Sequence, residues 1–272
     1  MSEHNSASSA PAHLVASIVL YRPDPGQLTR TLETLGTAIA AARSREIATA
    51  TIILTDHSPT PLPSLPQAAC PLQYHHDPAN PGFGAGHNAA FRRAVGADFF
   101  LVANPDLEFV PDSIAAGIAF LRAHPTVGLV APALIEADGG LRPACFRHPD
   151  LLTLALRARG LTAQHSRRIA RYECRDWDVR QPMFDPPLMS GCCLLFRASA
   201  YRELGGFGPR YFLYFEDFDL TLRANQLGLS AYCPAMRVAH AGGGASRKGF
   251  RHQMHFLRSA WRFFATHGWH GW

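Results

Sequence analysis

A single α/β domain built on a mostly parallel sheet is the fold this 272-residue sequence predicts, and three observations predict it. Residues 14–20, LVASIVL, form a continuous apolar run rich in β-branched side chains, which reads as a strand buried on both faces. The stretch QLTRTLETLGTAIAAARS then carries Leu28, Leu32, Leu35 and Ile39 at helical spacing. A second run, ATATIILTD, ends on Asp56, and strands alternating with helices make a doubly wound sheet.

The remaining elements follow in order. The turn YRPDPG joins the first strand to the first helix, and the proline-dense stretch from Ser58 to Pro81 reads as loop, interrupted by a short strand at LQYHH. NPGFGAGHNAAFRRAVG turns into a helix after its glycines, and ADFFLVANPDLEFV reads as a strand ending on Asn104 and Asp106. Asp56 and Asp106 thus fall at carboxyl ends of strands, where open α/β sheets bind ligands. Residues 112–123 predict a helix capped by Asp112, and VGLVAPALI another strand. The Arg-rich section 143–187 has no readable pattern. LMSGCCLLF resumes as a buried strand, ASAYRELGGFG as a short helix, EDFDLTLRANQLG as a helix led by three acids, and LSAYCPAMRVAH as an extended run ending on His240.

Composition bounds the function. Six cysteines without a C-x-x-C pair or a His-spaced cluster suggest neither a disulfide framework nor a zinc site, and fit a reducing, cytoplasmic compartment. Residues 1–13 have no apolar core and read as a disordered leader rather than a secretory signal. No apolar run approaches the roughly 18 residues of a spanning helix. A formal charge of +5 suits anionic partners in general, but no zinc-finger spacing or RNP-type strand occurs, so no nucleic acid partner is expected.

Three carboxylates and one imidazole stand out. Asp106 either caps a turn after its strand or helps hold a divalent cation, a role that needs one or two carboxylates when phosphate and water fill the other positions. Glu216 and Asp217 open a helix, where the dipole favours anions whatever their role. Asp217 is flanked by Phe215 and Phe218, which would exclude water and raise its basicity toward a hydroxyl proton. Asp219, four residues before Arg223, reads as half of a helix ion pair. His240 precedes the glycine run AGGGAS and suits a metal ligand beside a diphosphate. PGFGAGHN has the wrong spacing and place for a dinucleotide fingerprint, although a Gly-rich loop before a helix can hold phosphate by its amides.

Together these segments resemble glycosyltransferase family 2, of GT-A fold, and within it the bacterial rhamnosyltransferase-like group that builds O-antigen and other cell-surface polysaccharides. The resemblance runs from about Val15 to His240 and is strongest over GCCLLFRASAYRELGGFGPRYFLYFEDFDLTLR. It implies that Leu20, Tyr21 and Arg22 border the nucleoside pocket and that Asp56 contacts the base. Asn80, Gly82, Phe83, Gly84 and His87 would form the next wall of the donor site. The family's D-x-D motif appears as Asn104-Pro105-Asp106, so Asp106 keeps the metal-ligand role, with Asn104 in place of the first aspartate. His240 would join the metal shell around Mg²⁺ or Mn²⁺. Met189, Ser190 and Gly191 match the segment beneath the acceptor, and the catalytic pair is Glu216 and Asp217, with Asp217 the base. The implied activity is an inverting hexosyl transfer from a nucleotide-diphosphate sugar, dTDP-L-rhamnose first and a UDP-sugar as the alternative, onto a glycan or polyprenyl-linked acceptor. A nucleotide-sugar-binding protein without catalysis is the competing reading. A nucleotidyltransferase would want a better phosphate loop than YRPDPG.

The expected domain spans 14–245, with a helical extension over 246–272. Phe250, Met254, Leu257, Trp261 and Phe264 fall within about 40° of one direction on that helix, flanked by Arg251, Arg258 and Arg262. Such a stripe either packs on the core or lies on an anionic membrane surface, with Trp269 and Trp272 adding to the second reading. Residence in the cytoplasm, peripheral on the inner face of its membrane, is the matching expectation.

Overall fold

A computed structural model of the chain describes residues 12–158, 166–240 and 250–268. The expected leader through residue 11, the glycine run after His240, Trp269 and Trp272 lie outside them. The elements are β1 (His13–Leu20), α1 (Pro25–Arg43), β2 (Thr49–Asp56), β3 (Leu72–His76), α2 (Phe83–Arg93), β4 (Phe99–Ala103), β5 (Leu107–Phe109) and α3 (Ser113–Ala123). They continue with β6 (Leu129–Ile135), β7 (Leu141–Pro143), β8 (Cys145–Phe146), α4 (Leu151–Ala158), α5 (Ser166–Tyr172), β9 (Met183–Phe184) and β10 (Leu188–Met189). The last are β11 (Cys193–Arg197), α6 (Ala198–Glu203), α7 (Glu216–Gln226), β12 (Ser230–His240) and α8 (Phe250–His267).

The main sheet follows the path β3-β2-β1-β4-β11-β6-β12-β5, with β7 beside β6 and β9 beside β12. β3, β2, β1, β4, β6 and β12 run one way, while β11 and β5 run against them, so the sheet is mostly parallel. The apolar runs mark the strands that helices cover on both faces: every residue of β4 is buried, and so are all but the first of β1. Helix α1 begins at Asp24, whose carboxylate accepts from Gln27 N at 2.8 Å, and buries Leu28, Leu32, Leu35 and Ile39 against the sheet. In register, Leu20 lies beside Asp56 and Asp56 beside His76. The strand ends that border a ligand are therefore gathered at one edge.

Two of the expected strands are broken. ADFFLVANPDLEFV divides into β4, a turn at Asn104-Pro105-Asp106, and β5, which pairs with β12 at the far end of the path. Pro105 cannot donate to a ladder, and Thr31 of α1 braces the turn, giving its hydroxyl to Pro105 O at 2.8 Å and accepting from Leu107 N at 3.1 Å. LMSGCCLLF divides into β10, which pairs with β8 in a separate small sheet, and β11. Its middle residues turn their amides elsewhere: Ser190 N–H donates to Ala144 O at 2.8 Å and Gly191 N–H to Asp217. Asp112 precedes α3 as expected but caps no amide with its side chain, and lies 3.5 Å from Arg45 instead.

The described residues of section 143–187 carry several ion pairs. Arg147 meets Asp176 at 2.6 Å, Arg157 meets Glu173 at 2.8 Å, Arg168 meets Asp150 at 2.6 Å, and Arg175 grips both oxygens of Glu136. Arg157 also lies over the rings of Phe146 and Tyr172.

Helix α8 has two apolar faces where the sequence suggested one. Phe263 and Phe264 are buried, with Ala260, in a second core that also holds Phe146, Tyr172, Leu188, Phe215 and Phe218. On the opposite face Met254, Leu257 and Trp261 are 51%, 61% and 64% exposed. Phe264 therefore leaves the expected stripe for the core; the side chain of Phe250 lies outside the described residues. Phe263 stands 5.3 Å from Phe215 and 6.1 Å from Phe218, ring centre to ring centre. Truncating a buried Phe costs about 3–5 kcal/mol, so Phe263→Ala should lose about that much stability on urea unfolding. A loss below about 1 kcal/mol would mean that α8 is not part of the folded core.

Candidate active site

The carboxyl end of β4, the β10–β11 connection, the start of α7 and the end of β12 meet at one place. Asn104 N–H donates to Cys192 O at 2.8 Å, and Gly191 N–H donates to Asp217 Oδ2, also at 2.8 Å. Phe218 N–H donates to Asp217 Oδ1 at 2.9 Å. Across the Ser190–Cys192 loop, His240 Nε2 and Asp106 Oδ1 are 3.1 Å apart. Burial pushes the Cys192 thiol up to about 11, with the charges of Asp217 and Asp106 adding to the shift, so both carboxylates flank this one residue. The structure thus brings together Asn104, Asp106, Ser190, Gly191, Glu216, Asp217 and His240.

Asp217 is held firmly by the backbone around it. Each of its oxygens takes one backbone amide, which fixes the carboxylate while leaving further lone pairs to accept. Burial nevertheless raises its pKa to about 6, against the lowering effect of those amides. Gly191 permits the approach: a Cβ there would sit 2.9 Å from Asp217 Cβ. Thr221 completes the frame, donating to Asp217 O at 2.8 Å and accepting from Met189 N at 3.1 Å.

Glu216 differs from its neighbour. It is buried, and its Oε2 has no hydrogen-bond partner among the described residues. Burial, and then the charge of Asp217, push its pKa well above the usual carboxylate range. Its proton is therefore held to higher pH than that of an ordinary carboxylate. Asp219 is the helix ion-pair residue expected, 2.9 Å from Arg223, and it also lies 3.0 Å from His267 of α8.

The backbone leading into this pair is left-handed at two successive non-glycine residues, Tyr214 (φ 70°) and Phe215 (φ 67°). Helix α8 holds the segment. Ser259 donates to Leu213 O at 2.8 Å, His255 stacks on Phe212, and Phe215 packs among Phe256, Phe263 and Phe264.

Asp106 and His240 could hold a divalent cation between them, and the donor set fits one: a carboxylate oxygen and an imidazole nitrogen, with diphosphate and water to complete the shell. Among the described residues no group of three or more His, Cys, Asp or Glu side chains is arranged around a metal. A diphosphate is accordingly required for a full set.

The expected donor-site residues divide by exposure. Tyr21 is half exposed and Arg22 is exposed above its ring; Arg22 is left-handed (φ 47°) and its N–H donates to Ser58 Oγ at 2.7 Å, tying the β1 and β2 loops together. Asn80 (φ 46°) and Phe83 are partly exposed. Four residues stand behind the surface instead. Leu20 is wholly buried in the core. Asp56 ends β2 as expected, but it is fully buried and its oxygens accept from Ser58 N (2.9 Å) and the Tyr74 hydroxyl (2.6 Å), because a buried carboxylate must find donors. His87 is fully buried 2.8 Å from Ser17 Oγ, with burial pushing its pKa down to about 3, so it supports the wall from within. Gly84 lies under Phe207. Gly82 (φ 108°) is required where it stands, since a Cβ would meet Phe212 O at 2.3 Å. These glycines serve close packing, and the amide of Phe83 is spent on Phe212 O at 3.0 Å. Of the acceptor segment, Met189 is wholly buried and only Ser190 presents a partly exposed side chain.

Several positioning residues escaped the sequence reading. Thr31 and Thr221 sit in amphipathic helices where a threonine carries no signal. Asn88 joins α2 to the loop before α7, donating to Phe207 O at 2.9 Å and accepting from Phe207 N and the Tyr201 hydroxyl.

A mostly parallel sheet whose β4 ends in a turn bearing one aspartate, with a helix-start carboxylate bound to the neighbouring Ser190–Cys192 loop, is the architecture of a GT-A glycosyltransferase. Solved structures carry the same fold at low identity. They include GalNAc-T7 with UDP, GalNAc and Mn²⁺ (TM-score 0.61, 14% identical, 94% of this chain and 48% of that one) and the mannosyltransferase PcManGT of Pyrobaculum calidifontis with GDP-Man and Mn²⁺ (TM-score 0.53, 13%, 96% and 77%). TarS of S. aureus matches with TM-score 0.54 over 86% of this chain and 37% of that one. The chain thus spans about half of GalNAc-T7 and less than half of TarS. No family model matches. A curated relative, the N-acetylglucosaminyl-diphospho-decaprenol L-rhamnosyltransferase of Mycobacterium tuberculosis, is 30% identical over 244 residues, 82% of this chain and 74% of its own length. The chain belongs to glycosyltransferase family 2, in its rhamnosyltransferase-like group.

The raised pKa of Glu216 has a measurable consequence. An unfolded Glu titrates near ~4.3, so between that pH and its raised native value the folded chain holds a proton that the unfolded chain has released. Stability then falls as pH rises through that window. Between about pH 5 and pH 8 the urea midpoint of the wild type should fall more steeply than that of Glu216→Gln, which has no proton to lose. Equal slopes would mean that Glu216 ionises freely.

Proposed function

We propose that this glycosyltransferase is inverting, that Asp217 is its base, and that it transfers L-rhamnose from dTDP-L-rhamnose to a hydroxyl of a polyprenyl-diphosphate-linked sugar at the inner face of the cytoplasmic membrane. The observation that carries the reading is Asp217, with its pKa raised to about 6 and each oxygen on a single amide, facing the Asp106–His240 pair across Ser190 and Gly191. The donor and acceptor follow from the Mycobacterium relative, whose name gives L-rhamnose as the sugar transferred and a decaprenyl-diphosphate-linked N-acetylglucosamine as the acceptor.

The reaction needs few groups. Asp217 takes the proton of the acceptor hydroxyl as its oxygen bonds to the anomeric carbon, and the bond from that carbon to the diphosphate breaks, the electron pair leaving with the diphosphate. Inversion follows from such a single displacement. A Mg²⁺ or Mn²⁺ ion held by Asp106 and His240 would offset the leaving charge. Asn104 makes the D-x-D position neutral, so Asp106 is the one carboxylate in this turn. Tyr21, Arg22 and Asn80 line the nucleoside side, with Asp56, Leu20 and His87 setting their loops from behind. Ser190 lies nearest the acceptor, and section 143–187 supplies the wall from which acceptor choice comes.

Transfer of labelled sugar to a polyprenyl-diphosphate N-acetylglucosamine, with dTDP-L-rhamnose, UDP-sugars and GDP-mannose compared, tests the reading. A product with the donor's anomeric configuration would sink the inverting mechanism, and preference for a UDP-sugar would replace the donor. Loss of a general base costs about 10²–10⁴ in rate. Asp217→Asn should therefore lose at least about 10² in kcat while donor binding, read by calorimetry, stays within about threefold; unchanged turnover removes Asp217 as the base. The base works when deprotonated, so kcat/KM should rise with pH and level off above about 6, and Asp217→Asn should lose that limb. A flat profile through that range contradicts the assignment.

A further inference from the structure

We propose that the outward face of α8 docks on an anionic phospholipid bilayer; the proposal rests on the lipid-linked acceptor of the reading above and names the surface that would bring the enzyme to it. Met254, Leu257 and Trp261 are each more than half exposed, and at about 100° per residue they fall within about 60° of one direction, with exposed Ala265 among them. The buried face of the same helix, Phe256, Ala260 and Phe263, points the opposite way. The exposed stripe is therefore surplus to packing.

Its fringe is cationic. Arg258 is exposed about 40° from Met254 on the helix. Arg262 and Arg210 border Trp261 in a shallow groove with Pro209, tied together by the bond from Arg262 to Arg210 O. The α8 sequence contains no Asp or Glu. Apolar side chains ending in a tryptophan, ringed by guanidinium groups, suit a surface whose outer layer is anionic and whose inner layer is hydrocarbon. A second copy of the chain fits less well, since a two-fold contact would set Arg258 and Arg262 against their own copies without carboxylates between. Among the described residues no helix is long and apolar enough to cross a membrane, so attachment through α8 would lie along the interface. The inner face of α8 meanwhile grips Phe212 to Phe215, the segment that leads into Asp217.

Flotation with vesicles of phosphatidylcholine alone, or with about 30% phosphatidylglycerol, tests the proposal on the full chain. The wild type should float at least about tenfold more tightly with the anionic vesicles. Met254→Ser/Leu257→Ser/Trp261→Ser should lose about tenfold or more, and Arg258→Gln should weaken anionic binding alone. The triple variant replaces exposed side chains, so its melting temperature and its transfer to a short-chain, water-soluble acceptor should match the wild type, while transfer to a vesicle-embedded polyprenyl acceptor falls. The proposal is overturned if the wild type fails to float, or if the triple variant floats equally well. It is also overturned if sedimentation velocity finds a dimer that the triple variant dissolves, which would assign the face to a second copy. Asp217→Asn separates the two readings: it should float like the wild type, and if it also transfers like the wild type, the base assignment fails while the docking surface stands.

Discussion

The left-handed turn at Tyr214 and Phe215 is the constraint on which the site depends. Side chains other than glycine occupy that region at a cost of about 1–3 kcal/mol each, so two in succession persist only where surrounding structure holds them. What holds them is aromatic. Phe215 is buried with its ring 5.6 Å from Phe218 and 5.3 Å from both Phe256 and Phe263, and aromatic pairs of this kind contribute about 0.5–1.5 kcal/mol each beyond their burial. The turn reverses the chain so abruptly that α7 begins with Glu216 in the interior and Asp217 facing the Ser190–Gly191 loop. Without α8 there would be little to keep it so.

The same local geometry separates two adjacent carboxyl groups that would otherwise repel each other. Asp217 meets two amides of neighbouring residues that stabilise its anion, while Glu216 Oε2 has no partner among the described residues and burial pushes that acid's pKa well up. Neighbouring acids whose surroundings push them apart in this way divide into one base and one neutral group. The division also limits negative charge beside Asp106, where a leaving diphosphate must be accommodated. Asn104 acts in the same direction.

Much of this was legible in the sequence, for reasons that also explain what was not. Strands covered on both faces appear as unbroken apolar runs, so β1 and β2 were read to within a residue. The runs through β4 and β11 misled because their breaks are made of small or apolar residues: Pro105, Gly191 and Cys192 do not interrupt a hydrophobic pattern, and only the tertiary partners, Thr31 and Asp217, reveal that the ladder stops there. Asp106, Asp217 and His240 were visible because strand ends and helix starts are. Burial of Asp56 and His87 was not, since a polar residue at a strand end or in the first turns of a helix looks the same whether it faces a ligand or, as these do, meets a tyrosine or a buried serine. Arginine content likewise gave no pattern in section 143–187, where the partners are acids tens of residues away, such as Glu136 for Arg175.

Helix α8 was ambiguous because two roles were superimposed on one period. Its apolar residues satisfied both the packed and the interfacial reading, and the structure divides them: Phe256 and Phe263 face inward, Phe264 is covered at the edge of the stripe, and Met254, Leu257 and Trp261 are exposed. The two roles do not compete. Bilayer contact on the outer face requires no exposure of the inner one, so the clamp on Phe215 and the pairing of His267 with Asp219 persist while the outer face is engaged. A helix with a single apolar face would have to detach from the core to meet a membrane, and the strained turn before Asp217 would be released with it. Two faces let one helix hold the proposed base in place and still present a surface to the proposed lipid-linked acceptor.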